Sequence, residues 1–104
     1  MLAMNNPAKL PSLNALAPEP AHAFWAFDKA ALAEGAIPKK YKELMALAVA
    51  LTTQCAYCIE IHGGAAVQAG VTAQELSEAV FLTAALRAGA AVTHGTHLLE
   101  PKVK

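Results

Sequence analysis

Apolar positions recur at helical spacing in several stretches of the chain. Ala21, Phe24, Trp25, Ala31 and Leu32 share one side of a helix that Pro18-Glu19-Pro20 opens, with proline tolerated in the first turn and a carboxylate at the positive end of the dipole. Gly35 would cap its end. Ile37-Pro38 restarts the chain, and Leu44, Leu47, Ala48 and Leu51 follow the i, i+3, i+4, i+7 pattern between Lys39 and Thr53, so a second, largely buried helix is expected there. Thr52-Thr53-Gln54 interrupts it with hydroxyls able to cap a new start. A third helix should then run from about Cys55 to Ala69, ended by Gly70. Thr72 and Glu75 form a capping box behind Val71, a staple residue, and open a fourth helix to about Ala88. Its later part, Ala79 to Leu86, is apolar nearly all round. Gly89 should break it, leaving Ala90 to Leu99 as a short fifth helix before Pro101 and a charged tail.

No alternation of period two and no internal repeat is present, so the class is all-α, a bundle of about five helices. Residues 1 to 18 carry Pro7, Pro11 and Pro18 and three asparagines without an apolar period, and read as an irregular N-terminal arm. Residues 19–104 read as a single helical domain. Gly63-Gly64, in the third helix, costs about 1 kcal/mol per glycine relative to alanine. Such a pair suggests either close approach of another backbone or a loosened helix.

Composition adds an expectation of assembly. The chain has 104 residues, near the lower end for a self-sufficient core, yet 56% of them are apolar, with much of the excess alanine. That surplus points to burial against other copies, hence a homo-oligomer. Eight Lys and Arg balance eight Asp and Glu, and no basic cluster is interleaved with aromatics, which argues against nucleic acid. Lys39, Lys40 and Lys42 read as solvating a helix start. The longest apolar runs, Leu44 to Leu51 and Ala79 to Leu86, fall short of the ~18–20 residues of a membrane span. Asn5, Asn6 and Pro7 do not suit a signal peptide. A cytoplasmic location is the default expectation, and there a close cysteine pair points to redox or metal chemistry rather than a structural staple.

Both cysteines lie in Gln54-Cys55-Ala56-Tyr57-Cys58-Ile59-Glu60-Ile61-His62. At about 100° per residue, Cys55, Cys58, Ile59 and His62 share one helix face, with Ala66 a turn further on. A helix N-terminus stabilises negative charge and so favours a thiolate. The second thiol is close enough to form a disulfide once the first is oxidised. Histidine, which titrates near neutrality, suits His62 to relaying the thiol proton. Glu43 begins an otherwise apolar stretch. It reads either as a solvated helix-start carboxylate or as a half-buried one whose pKa burial would raise towards acid/base duty.

Glu43, Cys55, Tyr57, Cys58 and His62 together reproduce the pattern Glu-x11-Cys-x-Tyr-Cys-x3-His. This motif resembles that of the AhpD-like alkylhydroperoxidases of the carboxymuconolactone decarboxylase superfamily, and the helices from about residue 37 to 99 agree with that family's core. The resemblance implies a thiol-dependent peroxidase that reduces alkyl hydroperoxides and needs no cofactor. By it, Cys58 would be the peroxidatic nucleophile, Cys55 the resolving thiol, His62 and Glu43 a proton relay, and Tyr57 a pocket residue. It further implies a dithiol reductant, such as a lipoyl group, and a trimer or hexamer. The family's decarboxylase branch lacks the paired cysteines, which argues against a lactone decarboxylase.

Other readings stand beside this one. The cysteines could serve a disulfide oxidoreductase or a redox sensor. With His62, and His94 or His97 as a fourth ligand, they could bind a metal, although structural zinc usually joins separate segments. His94 and His97 otherwise read as surface or subunit-contact residues, His22 as solvent-facing, and Phe24 and Trp25 as core or interface. Glu60 points about 140° from Cys55 and is left outside the site.

Overall fold

In a computed structural model, residues 9–99 are described and form five α-helices, with no strand among them. The first, α1, spans Leu10–Leu16, and α2 spans Pro18–Leu32. Residues 10–16 therefore depart from the irregular arm expected of them. Pro11 lies in the first turn of α1, where its missing N–H costs no hydrogen bond. The first eight residues and the tail from residue 100 lie outside the described residues.

Helix α2 ends at Leu32 and not at Gly35. Its last carbonyls are capped from the next helix: Lys39 Nζ donates to Leu32 O at 2.8 Å, and Lys42 Nζ to Ala31 O and Ala33 O. These lysines were expected merely to solvate a helix start. That next helix, α3, spans Lys39–Thr53 as expected. It stops because Gln54 adopts the left-handed conformation, φ 56°, which costs a residue with a Cβ about 1–2 kcal/mol. Thr52 and Thr53 do not cap the helix after it, since their hydroxyls donate back to Val49 O and Ala50 O of α3.

Helix α4 covers Ala56–Gln68, and its N-cap is Cys55, whose sulfur accepts from the Cys58 N–H. Gly63 and Gly64 sit in regular helix, and a Cβ placed on either would meet nothing within 4 Å, so neither close approach within the chain nor loosening accounts for them. Gly70, at φ 91°, supplies the turn towards α5.

The final helix, α5, runs Ala73–Gly95 and continues as a 3-10 turn, Thr96–Leu99. Its capping box is fully formed: Glu75 N–H donates to Thr72 Oγ1 at 3.1 Å and Thr72 N–H to Glu75 Oε1 at 2.8 Å. Gly89 does not break it. One interior glycine costs about 1 kcal/mol, whereas a fresh helix nucleus, with σ of about 10⁻³, costs ~4 kcal/mol. The expected fourth and fifth helices are thus one. By length and composition this segment could cross a membrane. It packs on α3, however, and Arg87 in its middle donates to Thr52 O at 2.6 Å, tying it to the end of that helix.

The core is small: Leu47, Ala66 and Val71 are buried together, with Leu44 and Leu76 packed against them. Most packing joins α3 to α4 and α5, whereas α2 buries none of its residues and touches α3 lightly. Large apolar side chains therefore stand open along α2 and α5, among them Phe27, Phe81, Leu86 and Val92. The radius of gyration, 17.8 Å, exceeds the ~13 Å expected of a compact 100-residue domain.

Candidate active site

The αL turn at Gln54 reverses the chain, so that α4 packs back along α3, its first turn beside the end of α3 and its second reaching towards the start. The two cysteines sit in that first turn, at the N-cap and N3 positions, joined as a disulfide with Cα atoms 5.2 Å apart. Both sulfurs lie at the positive end of the α4 dipole, where a thiolate is stabilised once the pair is reduced. His62, one turn beyond Cys58, donates from Nδ1 to Glu43 Oε1 at 2.8 Å. The sequence places those two residues nineteen positions apart; the α3–α4 packing makes them partners.

Glu43 is 2% exposed, so the solvated reading of it is corrected. Burial alone would raise its pKa, but hydrogen bonds from His62 and Lys39 and their nearby charge outweigh that and hold it below the ordinary carboxylate value. The rise expected from half-burial is thus reversed. An ionised carboxylate only accepts, so the His62 proton in this contact sits on Nδ1, and in the neutral imidazole that leaves Nε2 as the nitrogen able to accept. Nε2 has no hydrogen-bond partner among the described residues.

Lys39 completes the group. Its Nζ lies 3.0 Å from Glu43 Oε2, while Oε1 faces His62. Sequence reasoning missed it, although a lysine four residues before a buried glutamate on one helix was a readable signal.

Glu43, Cys55, Tyr57, Cys58 and His62 all border one groove of about 1420 Å³ whose far wall is α1 and α2, including Leu13, Phe24, Trp25 and Leu32. Phe24 and Trp25, expected as core or interface, pack edge-to-face at 4.8 Å along that wall, and Trp25 Nε1 donates to Asn14 Oδ1 at 2.8 Å. The structure therefore brings all five motif residues to one place. It does not bring His94 or His97 there: their rings pack on each other, 5.0 Å apart, at the end of α5 and in the 3-10 turn after it. Among the described residues no three metal-ligating side chains converge. His22 is exposed, as expected, and Glu60, also exposed, does not line the groove, in keeping with its place outside the site.

Residues 18–101, most of the chain, match the sequence profile of the carboxymuconolactone decarboxylase family. The chain belongs to the carboxymuconolactone decarboxylase family. Its helices superpose on the crystal structure of an apo carboxymuconolactone decarboxylase family protein from Legionella pneumophila with a TM-score of 0.72, at 31% identity, covering 89% of this chain and 83% of that one. A Paracoccus denitrificans protein described as uncharacterized protein 4 in the cox locus is 44% identical over 77 residues, 74% of this chain and 69% of its own length. Family membership accounts for the all-α fold and agrees with the resemblance carried by the Glu-Cys-Tyr-Cys-His motif.

Proposed function

We propose that this family member is a thiol-dependent peroxidase acting on alkyl hydroperoxides. The observation that carries the reading is the Lys39–Glu43–His62 chain of contacts beside a cysteine pair at a helix start, all opening on one apolar groove. A buried anion that fixes a histidine tautomer beside a thiol is the arrangement that activates sulfur nucleophiles.

The chemistry runs from the reduced state. His62 Nε2 takes the Cys58 proton, and the Cys58 thiolate attacks the terminal oxygen of ROOH. The S–O bond forms as the O–O bond breaks, and the departing alkoxide receives the proton from His62 to leave as ROH. Cys58 is now a sulfenic acid. The Cys55 thiol attacks its sulfur, forming the Cys55–Cys58 disulfide and releasing water. A dithiol such as a dihydrolipoyl group then reduces the disulfide, becoming a cyclic disulfide itself. Tyr57 shapes the groove edge next to the sulfur.

Exposed apolar faces on α2 and α5, together with the expanded single chain, support assembly with other copies; the proposed form is a trimer or hexamer, and the proposed location the cytoplasm. A second reading, a disulfide oxidoreductase without peroxide turnover, rests on the cysteines already being paired. Peroxide loss separates the two. Reduced protein with cumene hydroperoxide and dihydrolipoamide should consume peroxide catalytically, and Cys58→Ser and Cys55→Ser should not. The same slow loss in all three would leave only the oxidoreductase.

A further inference from the structure

The buried Glu43 carboxylate needs a countercharge, and two groups could supply it. If His62 did so, it would have to be an imidazolium, which has no lone pair left to accept a thiol proton. Lys39 removes that conflict. Its ammonium sits 3.0 Å from Oε2, the carboxylate oxygen that His62 does not use, so Glu43 keeps a countercharge that does not depend on an imidazolium. The same ammonium donates to Leu32 O at 2.8 Å, and Lys39 N–H donates to Glu34 Oε2 at 3.2 Å. It therefore spans from the end of α2, the groove wall, to the carboxylate behind the histidine.

We propose that Lys39 is a positioning residue of the thiol site: shared between Glu43 Oε2 and the Leu32 carbonyl, it holds the carboxylate with Oε1 towards His62 Nδ1 and links that alignment to the seating of α2. The charged and titratable groups acting on Glu43 are Lys39 on its own helix and His62 from α4. From α2 and the turn after it come the Leu32 carbonyl and the Glu34 carboxylate, both on Lys39 and not on Glu43. Lys42 provides an internal control. It caps the same end of α2, through Ala31 O and Ala33 O, with no bond to Glu43.

The inference deepens the peroxidase reading, but its first test does not depend on turnover. The Glu43 side-chain carboxyl carbon is titrated by NMR in wild type, Lys39→Met, Lys39→Arg and Lys42→Met. Its midpoint should move up in Lys39→Met, return towards wild type in Lys39→Arg, and stay put in Lys42→Met. Fluorescence of Trp25, the one tryptophan of the chain and part of α2, reports the wall in each variant. An unchanged midpoint in Lys39→Met, or an equal shift in Lys42→Met, would overturn the proposal, the second because Lys39 would then act only through α2. Should Lys39→Met not fold, the wild type decides: the Lys39 Cε resonance should shift at the Glu43 midpoint, and its indifference there overturns the proposal. In the rate arm, the acid limb of the pH profile for peroxide reduction should move to higher pH in Lys39→Met alone. Absence of peroxide turnover in the wild type sinks the peroxidase reading and leaves the carboxyl titration to decide Lys39.

Discussion

Replacing Glu43 with glutamine keeps its shape and removes its charge, and the structure dictates how the amide must sit. With its oxygen towards His62 Nδ1, the NH2 group would face the Lys39 ammonium at a site built for 3.0 Å contact. Lys39, whose side chain is 42% exposed, can swing into water only by giving up its bond to Leu32 O as well. The NH2 then remains buried without an acceptor, costing a further ~1–3 kcal/mol. With the amide reversed, its oxygen accepts from Lys39 and its NH2 donates to Nδ1. Both contacts survive, so this orientation wins. Its consequence is a change of tautomer: Nδ1 becomes the acceptor and Nε2 carries the proton. His62 then has no free lone pair for the Cys58 thiol. Glu43→Gln should therefore lose only ~1–3 kcal/mol of stability, as ionic hydrogen bonds become neutral ones, while the peroxide reaction slows by about 10²–10⁴, the usual span of a lost general base. Stopped-flow mixing of the reduced variant with cumene hydroperoxide reads the rate, thermal melts read the stability, and long-range ¹⁵N correlations of the imidazole read the tautomer. A wild-type rate with the tautomer reversed would refute the proton-relay reasoning.

The same contacts set three further outcomes. Because the Glu43 pKa is lowered by folding, its contribution to stability is complete above the unfolded carboxylate value near 4.5 and is lost as pH falls through the lower folded value. Acid unfolding of the wild type should thus steepen below about pH 4.5, and Glu43→Gln should flatten that segment; Glu75, lowered chiefly by the Thr72 N–H, titrates in the same window and is held constant in the comparison. Thr72→Ala removes one half of the capping box and should cost ~0.5–2 kcal/mol, read as a lower melting temperature by circular dichroism. Light scattering should give a mass near three or six times 10.8 kDa, and Phe81→Asp, on the open face of α5, should reduce it; a wild-type monomer would contradict the assembly.

Periodicity located α3 within its observed bounds, and the capping box was readable because its two residues are neighbours in sequence. Where local signals competed with packing, the reading erred. Gly35 and Gly89 both looked like stops, yet lysines from α3 set the end of α2, and α5 passes Gly89 because continuing is cheaper than nucleating anew. The stretch at residues 10–16, with Pro11 and Asn14, looked irregular, although a proline in a first turn is neutral for helix formation. The motif residues were legible as a set by resemblance. Their electrostatics were not, because burial of Glu43 predicts a raised pKa until Lys39 and His62 are seen on its two oxygens.

The division of labour between the sulfurs is the central claim, and chemical trapping tests it most directly. Pre-reduced Cys55→Ser is exposed to one equivalent of hydroperoxide in the presence of dimedone and digested for mass spectrometry. One dimedone adduct is expected, on Cys58, and none when pre-reduced Cys58→Ser is treated alike. An adduct on Cys55 in Cys58→Ser, with none in Cys55→Ser, would contradict that division.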